Sequence, residues 1–208
     1  MIIIKIYIDF DGTLYNTPKL YNQFISILKK HNINETIIKN KLNNIKNKNL
    51  NILSKKIIKE FNLNKSIIKE LNNLYSTNLI YQDIIPFLEI YSKKYDLILL
   101  TLGNKKFQEK KINSTNINKY FKEIIITNKD KSKLEIDYHN SIFIDNNPYE
   151  LKKFYKSKAR YLIRIKRSND KYSKINLNIN NIIELKNFNE LLNSNYIDKI
   201  TKKLQTKY

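Results

Sequence analysis

The sequence predicts an α/β fold: a Rossmann-like, doubly wound parallel sheet interrupted after its first strand by a small α-helical insertion. Three observations carry that reading. Residues 2–8, Ile-Ile-Ile-Lys-Ile-Tyr-Ile, form a short β-branched run of the kind buried on both faces of a parallel sheet. Strand-length apolar runs recur at Asp96 to Thr101, Ile124 to Thr127, Ser141 to Asp145 and Tyr161 to Ile165, with helix-length segments between them. That alternation is the pattern of a doubly wound core. Residues 16–81, by contrast, show no strand-like alternation and place apolar residues at helical spacing.

Taken in order, the first strand ends at Ile8, and Thr17-Pro18 reads as the N-cap and first turn of a helix. Four apolar sets then give four helices: Leu20, Phe24, Ile27 and Leu28; Ile37, Ile38, Leu42 and Ile45; Leu53, Ile57, Ile58 and Phe61; and Ile67, Ile68, Leu71 and Leu74. Asn32 to Asn34, Asn47 to Asn51 and Asn62 to Asn64 are the expected breaks. Ile84 to Tyr95 reads as the helix leading back to the core, Lys105 to Lys111 as the helix after the second strand, and Pro148 to Lys156 as one started by proline. Ile182 to Leu185 is a short extended segment and Phe188 to Leu192 begins a terminal helix. The organisation that follows is a core of residues 1–15 and 82–208 with a helical subdomain at 16–81.

The first strand runs into Asp9-Phe10-Asp11-Gly12-Thr13-Leu14. Ligands bind at the carboxyl ends of parallel strands. Asp9 and Asp11 lie two residues apart, so in extended chain both point the same way, and Gly12 supplies positive φ where the chain turns off. Carboxylates this close raise one another's pKa unless a cation compensates. Mg2+, a hard ion that bridges carboxylates to phosphate, is the natural one. With it, Asp9 is suited to attack phosphorus, and Asp11 to protonate the leaving oxygen and then activate water. A solvated strand end also tolerates paired acids, but it gives no reason for the whole string.

Asp9-Phe10-Asp11-Gly12-Thr13 resembles the first motif of the haloacid dehalogenase (HAD) superfamily of aspartate-nucleophile phosphatases, and the later motifs follow in order. Thr101 matches the second motif, whose strand-end Ser or Thr binds the transferring phosphoryl group; Leu102 and Gly103 offer backbone N–H groups beside it, and Gly12 and Thr13 are implied on the same phosphate. Asp145 resembles the fourth-motif acid of the Mg2+ site. The family often carries a second acid directly after it or four to five residues along, where this chain has Asn146 and Glu150. Asp-Asn also occurs in relatives that act on phosphoproteins, with the Asn amide oxygen toward metal-bound water; Glu150 is equally a first-turn acid of the next helix. For the third-motif lysine the resemblance offers Lys129, directly after the Ile124 to Thr127 run and the first choice, then Lys131, because in many relatives the lysine sits at the start of the following helix; Lys133 is a further candidate. The resemblance therefore implies metal ligands among Asp9, Asp11, Asp145 and Asn146, and a helical cap over the site at 16–81.

Composition agrees. The chain has 208 residues, enough for an α/β core and a small cap. It has no Cys, which excludes disulfides and thiolate metal sites. The seven-residue apolar start leads straight into the acids and is too short for a signal peptide or membrane span, so a cytoplasmic location with no membrane partner is the expectation. The formal charge of +20 is nearly all Lys and accompanies an excess of Asn and Ile, the mark of a chain-wide bias. A nucleic-acid partner is thus possible but not favoured, since a dedicated surface clusters Arg with aromatics. Arg160, Arg164 and Arg167 do cluster, as charges guarding a sheet edge would. His31 and His139 read as surface groups, and nothing in the pattern selects an oligomeric state.

The expectation is a Mg2+-dependent phosphatase acting on a small phosphorylated metabolite or nucleotide. Action on nucleic-acid ends or phosphoprotein, and a non-catalytic binding role on the same scaffold, are the alternatives.

Overall fold

The computed structural model describes residues 4–43, 50–64, 66–180 and 182–205, with the side chains of residues 42, 43 and 50–53 excepted. Six strands form one all-parallel sheet: β1 (Lys5–Ile8), β2 (Asp96–Leu102), β3 (Glu123–Thr127), β4 (Ile142–Asp145), β5 (Tyr161–Ile165) and β6 (Ile182–Leu185). Their spatial order is β3-β2-β1-β4-β5-β6. The order reverses at β1, which pairs with β2 on one side and β4 on the other. Ligand sites form at such a switch point, outside the carboxyl ends of the strands.

The alternation of side chains explains why these strands read as continuous apolar runs. Ile6, Ile8, Leu97, Leu99, Ile142, Ile144, Ile163 and Ile165 enter one buried cluster, while Tyr7, Ile98, Leu100, Phe143 and Leu162 enter a second. Both faces are therefore covered, as a parallel sheet requires. Each fully buried Ile, Leu or Phe contributes ~1.5–3 kcal/mol. The second cluster is roofed by Leu151 and Phe154 of helix α7 (Pro148–Lys156).

Between β1 and β2 lie α1 (Thr17–Lys30), α2 (Glu35–Asn43), α3 (Leu50–Glu60), α4 (Ser66–Asn73) and α5 (Ile84–Tyr91). Leu20, Phe24, Ile27, Leu28, Ile38, Ile57, Ile58, Ile67 and Leu71 are buried on one continuous core with the sheet, whereas Ile37 is 40% exposed. Ile45 and the break expected over Asn47 to Asn49 lie outside the described residues, as do Ile2 and Ile3, and Leu42 and Leu53 are described as helical backbone only; Leu50 is already helical. Asn32 and Asn62 take positive φ, 60° and 49°, a conformation Asn tolerates at helix ends.

Several expectations are corrected. Asn16, not Thr17, caps α1: its side chain accepts from the Lys19 N–H at 3.0 Å, which puts Thr17 inside the helix with its hydroxyl available elsewhere. The helix after the insertion stops at Tyr91 rather than Tyr95. The chain's end holds two helices, α8 (Phe188–Ser194) and α9 (Tyr196–Gln205), separated by left-handed Asn195; α6 (Lys105–Asn113) follows β2. The arginines do not guard an edge, because β6 pairs with β5. Arg164 is wholly buried, reaching Glu184 (2.5 Å) and the carbonyls of Tyr172 and Ile175 (2.6 and 2.8 Å). Arg167 bridges Asp83 and the Thr13 carbonyl (2.8 and 3.1 Å). Both pin the segment after β5 to the strand tips.

Candidate active site

Register alone brings the acids together. Ile8 pairs with Ile144, and the Asp9 N–H still donates to the Ile144 carbonyl at 2.9 Å, so Asp9 stands beside Asp145, the last residue of β4. On the other side Ile8 pairs with Leu99, which puts Thr101 at the same end of the sheet. Lys131 completes the group: its ammonium lies 2.5 Å from Asp9 Oδ1 and 3.1 Å from Asp145 Oδ2.

Local sequence explains why Lys131 reaches the acids. Asp130 caps a short 3-10 helix, Lys131–Lys133, by accepting from the Ser132 N–H at 3.0 Å, and Lys153 of α7 holds its other oxygen at 3.1 Å. Lys129 precedes this cap. Its N–H donates to Thr127 Oγ1 at 3.0 Å and its side chain is exposed. Lys131 rather than Lys129 is the lysine that the fold delivers.

Asp11 is gripped from three directions. Its Oδ1 accepts from Lys111 Nζ at 2.5 Å and from Thr17 Oγ1 at 3.0 Å; its Oδ2 accepts from Gln108 Nε2 at 2.7 Å. The same Gln108 nitrogen donates to Thr101 Oγ1 at 2.7 Å. A carboxylate only accepts and an amide nitrogen has two hydrogens. The Leu102 carbonyl lies farther from that nitrogen, at 3.2 Å, so the second hydrogen goes to the nearer Thr101 oxygen, which accepts and keeps its own hydrogen for a group in the cleft.

Electrostatics divide the two acids of β1. Burial first, then repulsion from Asp145, holds the Asp9 carboxyl well above the usual range despite Lys131. Asp145 is likewise raised by burial against the pull of Lys131. Burial works against the Lys131 charge, but Asp145 and Asp9 overcome it and keep the ammonium protonated. Burial would raise Asp11 too, yet Lys111, with the Gln108 and Thr17 bonds, prevails and lowers it.

Other expected residues serve differently. Thr13 is fully buried behind the site, donating to Asp9 Oδ2 at 3.0 Å and accepting from the Asn146 N–H at 3.0 Å; it braces the nucleophile candidate rather than facing a phosphate. The Gly12 and Gly103 N–H groups are spent on the carbonyls of Tyr15 and Thr127, both at 2.8 Å. Leu102 stays at the cleft, 45% exposed. The Asn146 amide is turned to Asp170 and Thr13, not displayed toward the Asp9 and Asp145 oxygens. Glu150 sits in the first turn of α7, paired with Lys153 at 2.8 Å.

Gln108, Lys111 and Asp170 were not singled out from sequence, and Thr17 was read only as a helix cap. One signal existed for the first two. The buried stripe of α6 and the turn after it is Gln108, Lys111, Ile112 and Thr115, spaced i, i+3, i+4, i+7, so polar residues occupy positions that an ordinary core helix fills with apolar ones.

These groups line a cleft of about 820 Å3, closed by Leu20, Tyr21, Tyr75 and Phe107 and by residues 168–172. Residues 6–142 match the family model of the haloacid dehalogenase-like hydrolases, a span that takes in Asp9, Asp11, Thr101 and Lys131 and ends just before Asp145. The chain belongs to the haloacid dehalogenase-like hydrolase family. Solved HAD structures share its fold. The magnesium-bound, proposed HAD-hydrolase YfnB of Bacillus subtilis is 12% identical with a TM-score of 0.67, covering 93% of this chain and 99% of its own. A proposed beta-phosphoglucomutase of Thermotoga maritima is 15% identical with a TM-score of 0.66, covering 92% and 98%. The L-2-haloacid dehalogenase of Xanthobacter autotrophicus is 12% identical with a TM-score of 0.57, covering 83% and 80%. No curated protein sequence matches the chain.

The charge at the HAD site suits a hard cation. Asp9 and Asp145 direct oxygens at one cationic atom, the Lys131 nitrogen, and two carboxylates against one ammonium leave negative charge uncompensated. The carboxylates of Asp9 and Asp145 offer oxygen atoms, the chemistry Mg2+ accepts. Among the described residues no three His, Cys, Asp or Glu side chains are grouped around a metal. That is no obstacle, because Mg2+ commonly takes one or two carboxylates and fills its shell with waters and substrate phosphate.

Proposed function

We propose that this HAD hydrolase is a Mg2+-dependent phosphomonoesterase that forms an aspartyl-phosphate on Asp9. The carboxylates of Asp9 and Asp145 and the carbonyl of Asp11 would hold the metal. When bound it supplies positive charge to the phosphoryl oxygens and to the two acids. An Asp9 oxygen attacks phosphorus as the ester P–O bond breaks, and Asp11, which takes up a proton from solvent as substrate binding draws it off Lys111, passes that proton to the departing alcohol oxygen. Lys131 and the Thr101 hydroxyl hydrogen hold the transferring oxygens, the electrostatic work such a transition state demands. Asp11, ionised again, takes a proton from the water that attacks the acyl phosphate, which releases phosphate and restores Asp9. Leu20, Tyr21 and Tyr75 of the insertion face the alcohol half and select it, acting as a cap. The substrate is a small phosphorylated metabolite or a nucleotide.

The observation that carries this reading is the pairing of Asp9 with a second acid, Asp11, gripped by Lys111, Gln108 and Thr17 at the same cleft. A halide departs as an anion and needs no proton, so dehalogenation leaves Asp11 without a task. A panel of phosphomonoesters and of 2-haloacids, assayed in Mg2+ for released phosphate and halide, tests it. Phosphate without halide is expected; halide without phosphate would make the protein a dehalogenase.

A further inference from the structure

We propose that the buried Lys111 ammonium is a subsite for a second anionic group, a carboxylate or a phosphate, carried on the alcohol half of the substrate. This rests on the phosphatase reading above and narrows its substrate class. Lys111 lines the cleft yet its side chain is only 7% exposed. Its nitrogen lies 5.4 Å from the Phe10 ring centroid and 5.3 Å from that of Tyr15, so aromatic faces wall it in. Among the described residues its one ionic partner is Asp11.

Position along α6 assigns it to the alcohol half. Gln108 touches Thr101, where the phosphoryl group binds, and Lys111 follows one helical turn later, with the Asp11 carboxylate held between them. Beyond Asp11 lies the group that departs. The Asp11 carboxylate already accepts three donors, and to reach a substrate oxygen it must loosen its hold on Lys111. A buried ammonium stripped of its partner is costly. A neutral alcohol leaves that cost in place, whereas an anion two or three bonds from the ester oxygen removes it. The apolar side chains of Leu20, Tyr75 and Phe107 around the same space suit a short carbon spacer between the two charges.

The test compares propyl phosphate with its ω-carboxylate and ω-phosphate analogues in Mg2+, for the parent, Lys111→Met and Lys111→Gln. The glutamine variant keeps a hydrogen-bond donor for Asp11, and circular dichroism checks that both fold. The parent is expected to favour one or both anionic esters by about tenfold to a hundredfold in kcat/KM, mainly through KM, the range of a charge-assisted hydrogen bond; which arm is favoured identifies the anion. Both variants should lose that preference while any common fall in kcat affects all three esters. An active parent with no preference, or variants that slow every ester by one factor, would overturn the subsite and leave the phosphatase reading standing. A parent that releases phosphate from none of the three would overturn that reading and the subsite with it.

Discussion

Lys131 Nζ lies 2.5 Å from Asp9 Oδ1, across 122 residues of chain. Removing that ammonium leaves Asp9 and Asp145 buried with no partner of opposite charge among the described residues. Lys131→Met should lower kcat by at least about a hundredfold and destabilise the fold by about 3–5 kcal/mol. Lys129→Met, on an exposed side chain, should stay within about 0.5 kcal/mol of the parent. Steady-state kinetics and urea unfolding of the two variants check the contrast; equal effects would count against Lys131.

Gln108 couples the Thr101 hydroxyl to the Asp11 carboxylate. Gln108→Leu keeps the apolar volume of the helix but frees Thr101 to turn its hydrogen toward Asp11. The expected result is a fall in kcat/KM of about tenfold to a hundredfold. A Gln108→Leu protein with parental kinetics would show that this bond does not orient Thr101.

Gly12 sits at φ +89°, and a Cβ there would run into the Asn146 amide. Gly12→Ala therefore meets both backbone strain and a clash with a side chain already bonded to Asp170. A loss of about 1–3 kcal/mol is expected in thermal or urea unfolding; an unchanged midpoint would mean the turn relaxes freely.

Asp198 of α9 ties that helix to the end of α5 and the segment after it, accepting from Tyr91 (3.1 Å) and Tyr95 (2.9 Å) with Lys94 at 3.4 Å. Burial raises its carboxyl, but the two tyrosine bonds and Lys94 prevail and lower it. A depressed folded pKa adds stability above the unfolded value, near 4, which is lost as pH falls through the folded value. Asp198→Asn should cost roughly 1 kcal/mol at pH 7, and the difference from the parent should shrink below about pH 4. A constant difference across pH would contradict the linkage.

Much of this architecture was legible because the relevant physics is local. Asp9, Asp11, Thr101 and Asp145 stand at the ends of apolar strands, and an acid or hydroxyl closing such a run is visible in one dimension. The insertion's helices were legible through spacing, and their breaks at Asn32 and Asn62 through the tolerance of Asn for positive φ. The choice of Lys131 over Lys129 was not, since it depends on Asp130 capping a turn and on Lys153 from another helix. Arg164 was misread as an edge charge because the pairing of β6, from residues 182–185, is invisible in the composition of β5. Gln108 and Lys111 look like solvent-facing residues of a polar helix until the missing apolar stripe of α6 is noticed.

The central claim is that Asp9 is the nucleophile of a phosphatase. Phosphate release from para-nitrophenyl phosphate in Mg2+ by the parent and by Asp9→Asn tests it most directly. Turnover by the parent and a loss of at least about a thousandfold in the folded variant are expected. An Asp9→Asn protein that releases phosphate as fast as the parent would contradict the account.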